Sequence, residues 1–378
     1  METVSLIQTE YDACSMARAV EEHFRLHKLD ELFTPDTRVT LKLNLLMKRA
    51  PEAATTTHPA LVRAIVRKLR ALGVREVTLA DSPGGPYTRG ALEGIYRACG
   101  MEEAARETGA LLNFDTSYRE LPVDGEMVKS FPIIEPVASA DVVINVAKLK
   151  THCMTLLSGG VKNLFGCVPG LAKPELHFRF PEPERFCSML VDLSALMAPA
   201  ITFVDAVDAM EGDGPSGGEP IHAGVTLCSR NVWALDVVHC AMLRVRPEQV
   251  LTVREAVRRG LSPASMEEIS LTGQPELLER MPPFVLPRTK KTDFSSQLPR
   301  FLQPAASWAV RRAAPRPVIR SSLCVGCGKC AESCPAHTIE VRAGKAHIHY
   351  ERCQKCYCCH EMCPVRAIDV SRLFAFRF

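Results

Sequence analysis

The chain has 378 residues, 47% of them hydrophobic and 24% charged, with a formal net charge of +3. These values are ordinary for a globular protein of two or three domains and exclude general disorder. The nearly balanced charge gives no support to a nucleic-acid partner, and no apolar run is long enough for a membrane span. The amino terminus also lacks a signal-peptide pattern, so the predicted location is cytoplasmic.

Residues 1–285 alternate between strand-like and helix-like patterns. A helix over residues 60–72 is predicted to begin at Thr57 or His58, with Pro59 in its first turn and Gly73 at its end. The predicted strands are 38–44, 74–80, 141–147 and 201–207, and the other predicted helices are 186–197, 232–245 and 247–259. This order predicts an α/β domain with a mostly parallel sheet and flanking helices.

Residues 286–317 have a different composition, because prolines recur and basic residues far outnumber acidic ones. The segment is predicted to be a linker that wraps a surface, with one short helix near 302–312. Its charges are interpreted either as a solvated face or as a docking strip for an acidic redox partner.

Nine of the 16 cysteines lie between Cys324 and Cys363. The pattern C-x2-C-x2-C-x3-C-P occurs at residues 324–335 and again 29 residues later, at 353–364, which indicates an internal duplication. In two-cluster ferredoxins this spacing lets three thiolates hold one cubane while the fourth reaches the other cluster. A zinc site would instead use two CxxC pairs.

Residues 318–378 are therefore predicted to form a small ferredoxin-like α+β domain with two [4Fe–4S] clusters. The predicted metal ligands are Cys324, Cys327, Cys330 and Cys363 for cluster one, and Cys353, Cys356, Cys359 and Cys334 for cluster two. Cys358 is predicted to be a surplus thiol, since only Cys359 keeps the two-residue interval after Cys356.

Polar residues also gather where the predicted strands of the first domain end. Because the carboxyl ends of parallel strands share one edge, ligands of open α/β sheets bind there. We predict an anionic small molecule bound by Lys42, Asn44, Lys148, Lys162 and Asn163, with Lys150 and His152 as catalytic residues. At least Lys42, Lys148 and Lys162 are expected to meet in one site that faces the cysteine-rich domain. The simpler alternative for each lysine is a solvated side chain, and for His152 a structural histidine.

Six segments carry a family resemblance: LKLN (41–44), TTTHP (55–59), DSPGG (81–85), KLKTH (148–152), GGVKNLFG (159–166) and MEGDGPSGG (210–218). Together they resemble the prokaryotic domain of unknown function 362 (DUF362) family. The run CQKCYCCHEMCP resembles the form in which this domain is fused to a bacterial-type two-[4Fe–4S] ferredoxin domain. The resemblance implies an iron–sulfur protein of anaerobic or facultative metabolism, and it implies no particular substrate.

Three functional interpretations follow. The first is a ferredoxin-dependent oxidoreductase that passes electrons through its clusters to the bound anion. The second is an electron carrier or maturation factor that docks onto a partner enzyme. The third is a redox-sensing regulator, which no DNA-binding motif supports. The first two require a redox partner protein as electron donor or acceptor.

Overall fold

The computed structural model describes residues 1–289 and 315–371. In this part of the chain nine strands form one large sheet. They are β1 (Glu2–Gln8), β2 (Arg38–Lys42), β3 (Glu76–Ala80), β4 (Leu111–Leu112), β7 (Val142–His152), β8 (Leu156–Ser158), β9 (Ile201–Glu211), β10 (Glu219–Ser229) and β11 (Ile269–Gly273). Two further strands, β5 (Tyr118–Pro122) and β6 (Ser130–Ile134), pair only with each other.

The strand order of the large sheet is β11-β1-β10-β9-β7-β2-β3-β4, and β8 pairs with β7. Within the run β9-β7-β2-β3-β4, each strand is parallel to the next. The antiparallel strand β10 then joins them to the parallel pair β1 and β11. The fold-class prediction of a mostly parallel sheet with flanking helices is confirmed.

Helices connect these strands. They are α1 (Ala13–His27), α2 (Pro59–Ala71), α3 (Arg89–Ala98), α4 (Met101–Thr108), α5 (Glu135–Ala138), α6 (Gly160–Asn163), α7 (Ala172–Arg179), α8 (Pro183–Met197), α9 (Val232–Met242) and α10 (Leu251–Arg258). Helix α2 begins as predicted, because the His58 side chain accepts a hydrogen bond from Ala60 N and Pro59 occupies the first turn.

Alternate residues of the central strands contribute to different cores, as the two-residue period of a strand requires. On β9, Phe203 joins the core that contains Val20 of α1 and Ile65 of α2. The next residue, Val204, joins the core that contains Val238 of α9. Helices therefore cover both faces of the sheet, and the ends of the strands are the part of the sheet that remains available for a binding site.

The small domain repeats one unit twice. The first unit contains α11 (Lys329–Glu332) and β13 (Ile339–Arg342), and the second contains α12 (Cys358–Glu361) and β15 (Ile368–Ser371). Strand β14 (Lys345–Ile348) pairs with β13, and β12 (Arg316–Ile319) pairs with β15. Strand β12 thus begins inside the predicted linker 286–317, and the helix predicted near 302–312 lies outside the described residues.

Among the described residues there is no helix with both the length and the apolar character needed to cross a bilayer.

Candidate functional site

The small domain contains two cavities of about 320 Å³ each, including their openings to solvent, and four cysteines line each one. One cavity is lined by Cys324, Cys327, Cys330 and Cys363, and the other by Cys334, Cys353, Cys356 and Cys359. Each set takes three cysteines from one run and the fourth from the other run. These are the two sets that the cysteine spacing predicts.

Backbone N–H groups point at several of these sulfur atoms. Ala367 N donates to Cys363 Sγ at 3.1 Å, and Ala346 N donates to Cys324 Sγ at 3.4 Å. Such N–H donors are typical of iron–sulfur sites, where they stabilise the negative charge on sulfur. No three of the described His, Cys, Asp and Glu side chains are arranged to hold a single metal ion. The thiolate sets and their donors therefore fit iron–sulfur clusters.

Cys358 lies elsewhere. Its thiol is buried and lines a third cavity, described below, whereas its neighbour Cys359 lines a four-cysteine cavity. A hydrogen bond with Cys356 and burial raise the pKa of the Cys358 thiol well above its ordinary value.

The second cysteine run docks onto the large domain. Ser216 Oγ donates to Glu361 O at 2.6 Å, and His360 Nε2 lies 2.9 Å from Asp213 O. Arg366 forms an ion pair with Glu219 at 2.7 Å. These contacts join the 213–219 segment, which connects β9 and β10, to the α12 region of the small domain. The cluster sites therefore have a defined position relative to the large sheet.

A cavity of about 750 Å³, including its opening to solvent, lies between the two domains. The small domain contributes Ser333, Cys358, Glu361 and Met362 to its wall. The large domain contributes polar and charged side chains from several strand ends and loops: Asn44, Asp81, Ser82, Lys150, His152, Ser158, Lys162, Asn163, Lys173 and His177. The polar strand ends and the cysteine-rich domain thus face the same space.

Close backbone packing shapes this cavity at two glycines. A Cβ on Gly166 would lie 2.1 Å from Asp81 Oδ1 and 2.6 Å from Lys42 Nζ. A Cβ on Gly84 would lie 2.4 Å from Met362 Sδ. A side chain at position 166 would displace the buried Lys42–Asp81 ion pair, whereas a side chain at position 84 would displace only the flexible end of Met362. Gly84 therefore marks the place where the large domain touches the second cysteine run.

Lys150 is held at the cavity wall by a chain of buried amides. Its Nζ donates to Asn44 Oδ1 at 2.9 Å and to Thr55 O at 2.8 Å. Asn44 Nδ2 then donates to Asn163 Oδ1, and Asn163 Nδ2 donates to Asn145 Oδ1. Burial, followed by the nearby positive charges of Lys148 and Lys162, lowers the pKa of Lys150 to about 7. An ammonium with this pKa can both bind an anion and give up a proton near neutral pH.

Two more lysines reach the cavity. Lys162 Nζ lies over the rings of Phe165 and Phe186, at 4.5 and 5.8 Å, and no carboxylate of the described residues lies within ion-pair distance of it. Lys173 donates to Ser82 O and Ser82 Oγ, both at 2.8 Å. Burial is the main cause that lowers both lysine pKa values, that of Lys173 to about 7. Lys162 therefore forms no ion pair among the described residues, and the favourable charge that acts on it most strongly is the Glu361 side chain of the same cavity.

The two histidines of the wall each leave one ring nitrogen without a partner. His152 Nδ1 accepts from Met154 N at 3.1 Å, so the proton of the neutral ring is on Nε2. That Nε2 is buried, unpartnered and 3.5 Å from Glu361 Oε1. His177 Nδ1 is also buried and unpartnered. Burial lowers the pKa of both histidines, that of His177 to about 3, so both rings are neutral.

The structure does not bring Lys42 and Lys148 to the cavity wall. Lys42 Nζ pairs with Asp81 Oδ1 at 2.8 Å and also donates to Leu43 O and Asn163 O. Lys148 Nζ pairs with Asp205 Oδ2 at 2.9 Å and donates to Tyr11 OH at 2.8 Å. Buried carboxylates already neutralise these two ammonium groups. Lys42, Lys148 and Lys162 therefore do not meet at one ligand as expected. Lys42 and Lys148 form internal ion pairs, and only Lys162 lines the cavity.

Sequence reasoning missed two residues that matter here. Lys173 lies on α7, outside any predicted element, and nothing in its local pattern indicates a site. Asn145 stands within the apolar run of β7, and a polar residue in a buried strand was an available signal. Asn145 is fully buried and ends the amide chain by donating to Gly160 O at 3.0 Å.

Comparison with known proteins identifies two regions. Residues 39–241 match the model of the domain of unknown function (DUF362), and residues 316–364 match the model of the 4Fe-4S dicluster domain. A similar protein is "Thylakoid-associated protein sll1697" of Synechocystis sp., with 31% identity over 275 residues, which are 71% of this chain and 82% of that protein.

Solved structures offer more distant similarities. The lactate racemase apoprotein from Thermoanaerobacterium thermosaccharolyticum has 12% identity and a TM-score of 0.41 over 64% of this chain and 57% of its own. A Thermotoga maritima protein has 12% identity and a TM-score of 0.33 over 55% of this chain and 53% of its own. The chain therefore spans a little over half the length of each.

Proposed function

Because the chain belongs to the DUF362 family and carries a 4Fe–4S dicluster domain, we propose that it is an iron–sulfur oxidoreductase that acts on an anionic small molecule in the interdomain cavity. The observation that carries the proposal is that one cavity has an unpaired lysine on one wall and the second cysteine run on another. The dicluster domain supports electron transfer, and the cavity supplies a place where a substrate could receive the electrons.

The proposed cofactors are two [4Fe–4S] clusters. Cys324, Cys327, Cys330 and Cys363 would hold cluster one, and Cys334, Cys353, Cys356 and Cys359 would hold cluster two. Bound clusters supply single electrons at low potential. Cluster two would lie beside the cavity, since Ser333 and Cys358, the sequence neighbours of Cys334 and Cys359, both line it.

Exposure of the two sites supports a direction for the electrons. Cys327 is exposed, and its neighbour Val325 is 63% exposed, so cluster one would be open to a redox partner protein. Cys359 is buried, and its run is docked on the large domain. Electrons would therefore enter through cluster one and leave through cluster two, although either direction uses the same residues.

The residues of the large domain would bind the anion and manage a proton. Lys162 offers a positive charge that pairs with no carboxylate of the described residues, and Lys173, with a pKa of about 7, adds part of a second charge. Lys150 is the proposed proton donor, because its pKa of about 7 is matched to neutral pH. His152 is neutral and its Nε2–H faces the cavity wall, so it is proposed to orient the substrate by a hydrogen bond.

The second candidate function is an electron carrier or maturation factor that docks onto another enzyme. The exposed rim of cluster one, with Val325 and Val365 on its cavity wall, favours this alternative. The cavity between the domains would then hold a regulatory molecule or none. We also propose a cytoplasmic location on the sequence pattern, as either function would place the chain beside soluble redox partners.

Anion binding to the anaerobically prepared protein separates the two functions. Calorimetric titration with acetate, malonate, succinate and phosphate should show at least one saturable ligand, and Lys162→Gln should weaken it about 10- to 100-fold, the effect of one charge-assisted hydrogen bond. Lys129→Gln is the matched control, since Lys129 is exposed and pairs only with Asp124. If no anion binds, and only a protein partner reoxidises the reduced clusters, the carrier function stands instead.

A further inference from the structure

The walls of the two cysteine-lined cavities can be compared residue by residue, because the small domain is an internal duplication. Corresponding residues are 29 positions apart, as in Ile339 and Ile368, which line one cavity each. Thr338 and Ala367 are another such pair, and they also line one cavity each. The site of cluster two therefore has a hydroxyl group where the site of cluster one has a methyl group.

The hydroxyl group of Thr338 lies against a cysteine of the second set. Thr338 N donates to Cys334 Sγ at 3.3 Å, and Thr338 Oγ1 lies 3.3 Å from the same sulfur atom. At the corresponding place Ala367 N donates to Cys363 Sγ at 3.1 Å, and the alanine side chain has no donor to add. A ligating thiolate has no proton, so Thr338 is the donor to Cys334 when a cluster is bound. Cluster two thus receives one hydrogen bond more than cluster one at this position.

Burial ties the hydroxyl group to this sulfur atom. Thr338 is 3% exposed, and Cys334 Sγ is the only hydrogen-bond partner of its Oγ1 within residues 1–289 and 315–371. A buried hydroxyl group without a partner is costly, so rotation away from the sulfur is disfavoured. Ala367 is 1% exposed, so bulk solvent does not supply the missing donor in the other cavity.

Two further pairs of wall residues differ between the cavities, and neither supplies a comparable bond. Tyr357 corresponds to Gly328, but its hydroxyl group donates to Pro315 O at 2.8 Å. Gln354 corresponds to Val325, and its buried amide oxygen, which can only accept, has no partner among the described residues. The threonine hydroxyl is therefore the difference that reaches a ligand sulfur.

We propose that Thr338 donates a hydrogen bond to the Cys334 thiolate and thereby raises the reduction potential of cluster two. Reduction adds one negative charge to the cluster, and a hydrogen-bond donor on a ligand sulfur stabilises that charge. An electron that enters at the exposed cluster one would then be drawn towards cluster two, beside the interdomain cavity. The proposal rests on the two-cluster part of the proposed function and is independent of the anion site.

The test is a potentiometric titration of the anaerobic full-length protein, monitored by EPR of the reduced clusters. Thr338→Val keeps the shape of the side chain and removes the donor. The ratio of reduced to oxidised form of one cluster should fall about three- to tenfold at a fixed potential, which is about 28 to 59 mV for one electron. The other cluster should keep its midpoint, and Thr338→Ser, which retains the hydroxyl group, should stay close to the parent.

Ala367→Ser is the reciprocal variant, because it adds a hydroxyl group at the corresponding place in the other cavity. It should raise the midpoint of the cluster that Thr338→Val leaves unchanged. This reciprocity assigns the two midpoints to the two cysteine sets, and a shift of the same cluster in both variants would contradict the proposal.

Iron and acid-labile sulfide content, measured on every variant, separates the possible failures. About eight irons with unchanged midpoints in Thr338→Val would overturn the role of Thr338 and leave the two clusters standing. An equal shift in Thr338→Ser would overturn it as well, since the hydroxyl group would not be the cause. About four irons in the parent protein would overturn the two-cluster assignment and the proposal with it. If Thr338→Val does not retain its iron, Ala367→Ser decides, and an unmoved midpoint there contradicts the proposal.

Discussion

Lys42 and Lys162 carry the same charge in neighbouring places, and the structure predicts opposite effects when each is replaced. Lys42 is fully buried, and its ammonium is bound by Asp81 Oδ1, Leu43 O and Asn163 O. Lys42→Met leaves the buried Asp81 carboxylate without its counter-ion, although Leu45 N still donates to it at 2.6 Å. Removing one partner of a buried ion pair costs about 3–5 kcal/mol of unfolding free energy.

Lys162→Met is the matched change. Methionine retains most of the length that packs on Phe165, and the ammonium that disappears has no carboxylate partner among the described residues. The free energy of unfolding should therefore fall by less than in Lys42→Met, because Glu361, the buried carboxyl group that Lys162 stabilises, lies beyond ion-pair distance of it. Anion binding should instead be lost in this variant.

Urea unfolding under anaerobic conditions, followed by far-ultraviolet circular dichroism, measures both effects, and iron content checks that both variants carry the same clusters. A Lys42→Met protein as stable as the parent would refute the ion-pair interpretation and return Lys42 to the group of candidate ligand-binding lysines. Equal destabilisation by the two changes would refute the distinction between them.

Three further predictions follow from the same geometry. Cys358→Ser should retain the full iron content and Cys359→Ser should lose or convert one cluster, because only Cys359 lines a four-cysteine cavity; iron loss from Cys358→Ser alone would reverse the assignment. Burial lowers the pKa of His23 to about 3 and of His27 to about 4, so the unfolded chain binds protons that the folded chain does not. Stability should be fully present above about pH 6.5 and fall by up to about 1.4 kcal/mol per pH unit for each histidine as the pH drops towards 4, and His23→Gln with His27→Gln should reduce this dependence in urea unfolding, while the buried His152 and His177 maintain the remainder. Anion affinity, measured by calorimetry, should weaken as the pH rises through about 7, where Lys150 and Lys173 lose their charge, and Lys150→Arg should reduce that dependence; an unchanged profile in Lys150→Arg would exclude Lys150 as a source.

The parallel core was readable from the sequence because its strands and helices carry strong local patterns. Residues 141–147 and 201–207 are apolar and β-branched, and they form β7 and β9, each extended by several residues. Helix α2 was predicted to within a residue by its apolar spacing, its cap and its proline. Strand β10 and the amino-terminal pair of β1 and α1 were not predicted, since their place depends on antiparallel pairing with distant strands.

The two cysteine sets could be predicted from the sequence alone, because the spacing of three cysteines within seven residues is a local property of the chain. The lysines were different. Lys42, Lys148, Lys150 and Lys162 all follow strand ends, but whether a buried ammonium meets a carboxylate or an open cavity depends on residues that are far away in sequence. Asp81 and Asp205 neutralise the first two, and only the folded chain shows this.

The docking of the second cysteine run onto the large domain was likewise decided by tertiary structure. It depends on contacts such as Ser216 with Glu361, which are separated by 145 residues and have no pattern of their own. The same docking puts Cys358 on the cavity wall. Local spacing can therefore predict which cysteine sulfur atoms lie together. Long-range packing decides which charged side chains and cavities lie next to those sulfur atoms, because such surroundings are formed by segments that are far apart in the sequence.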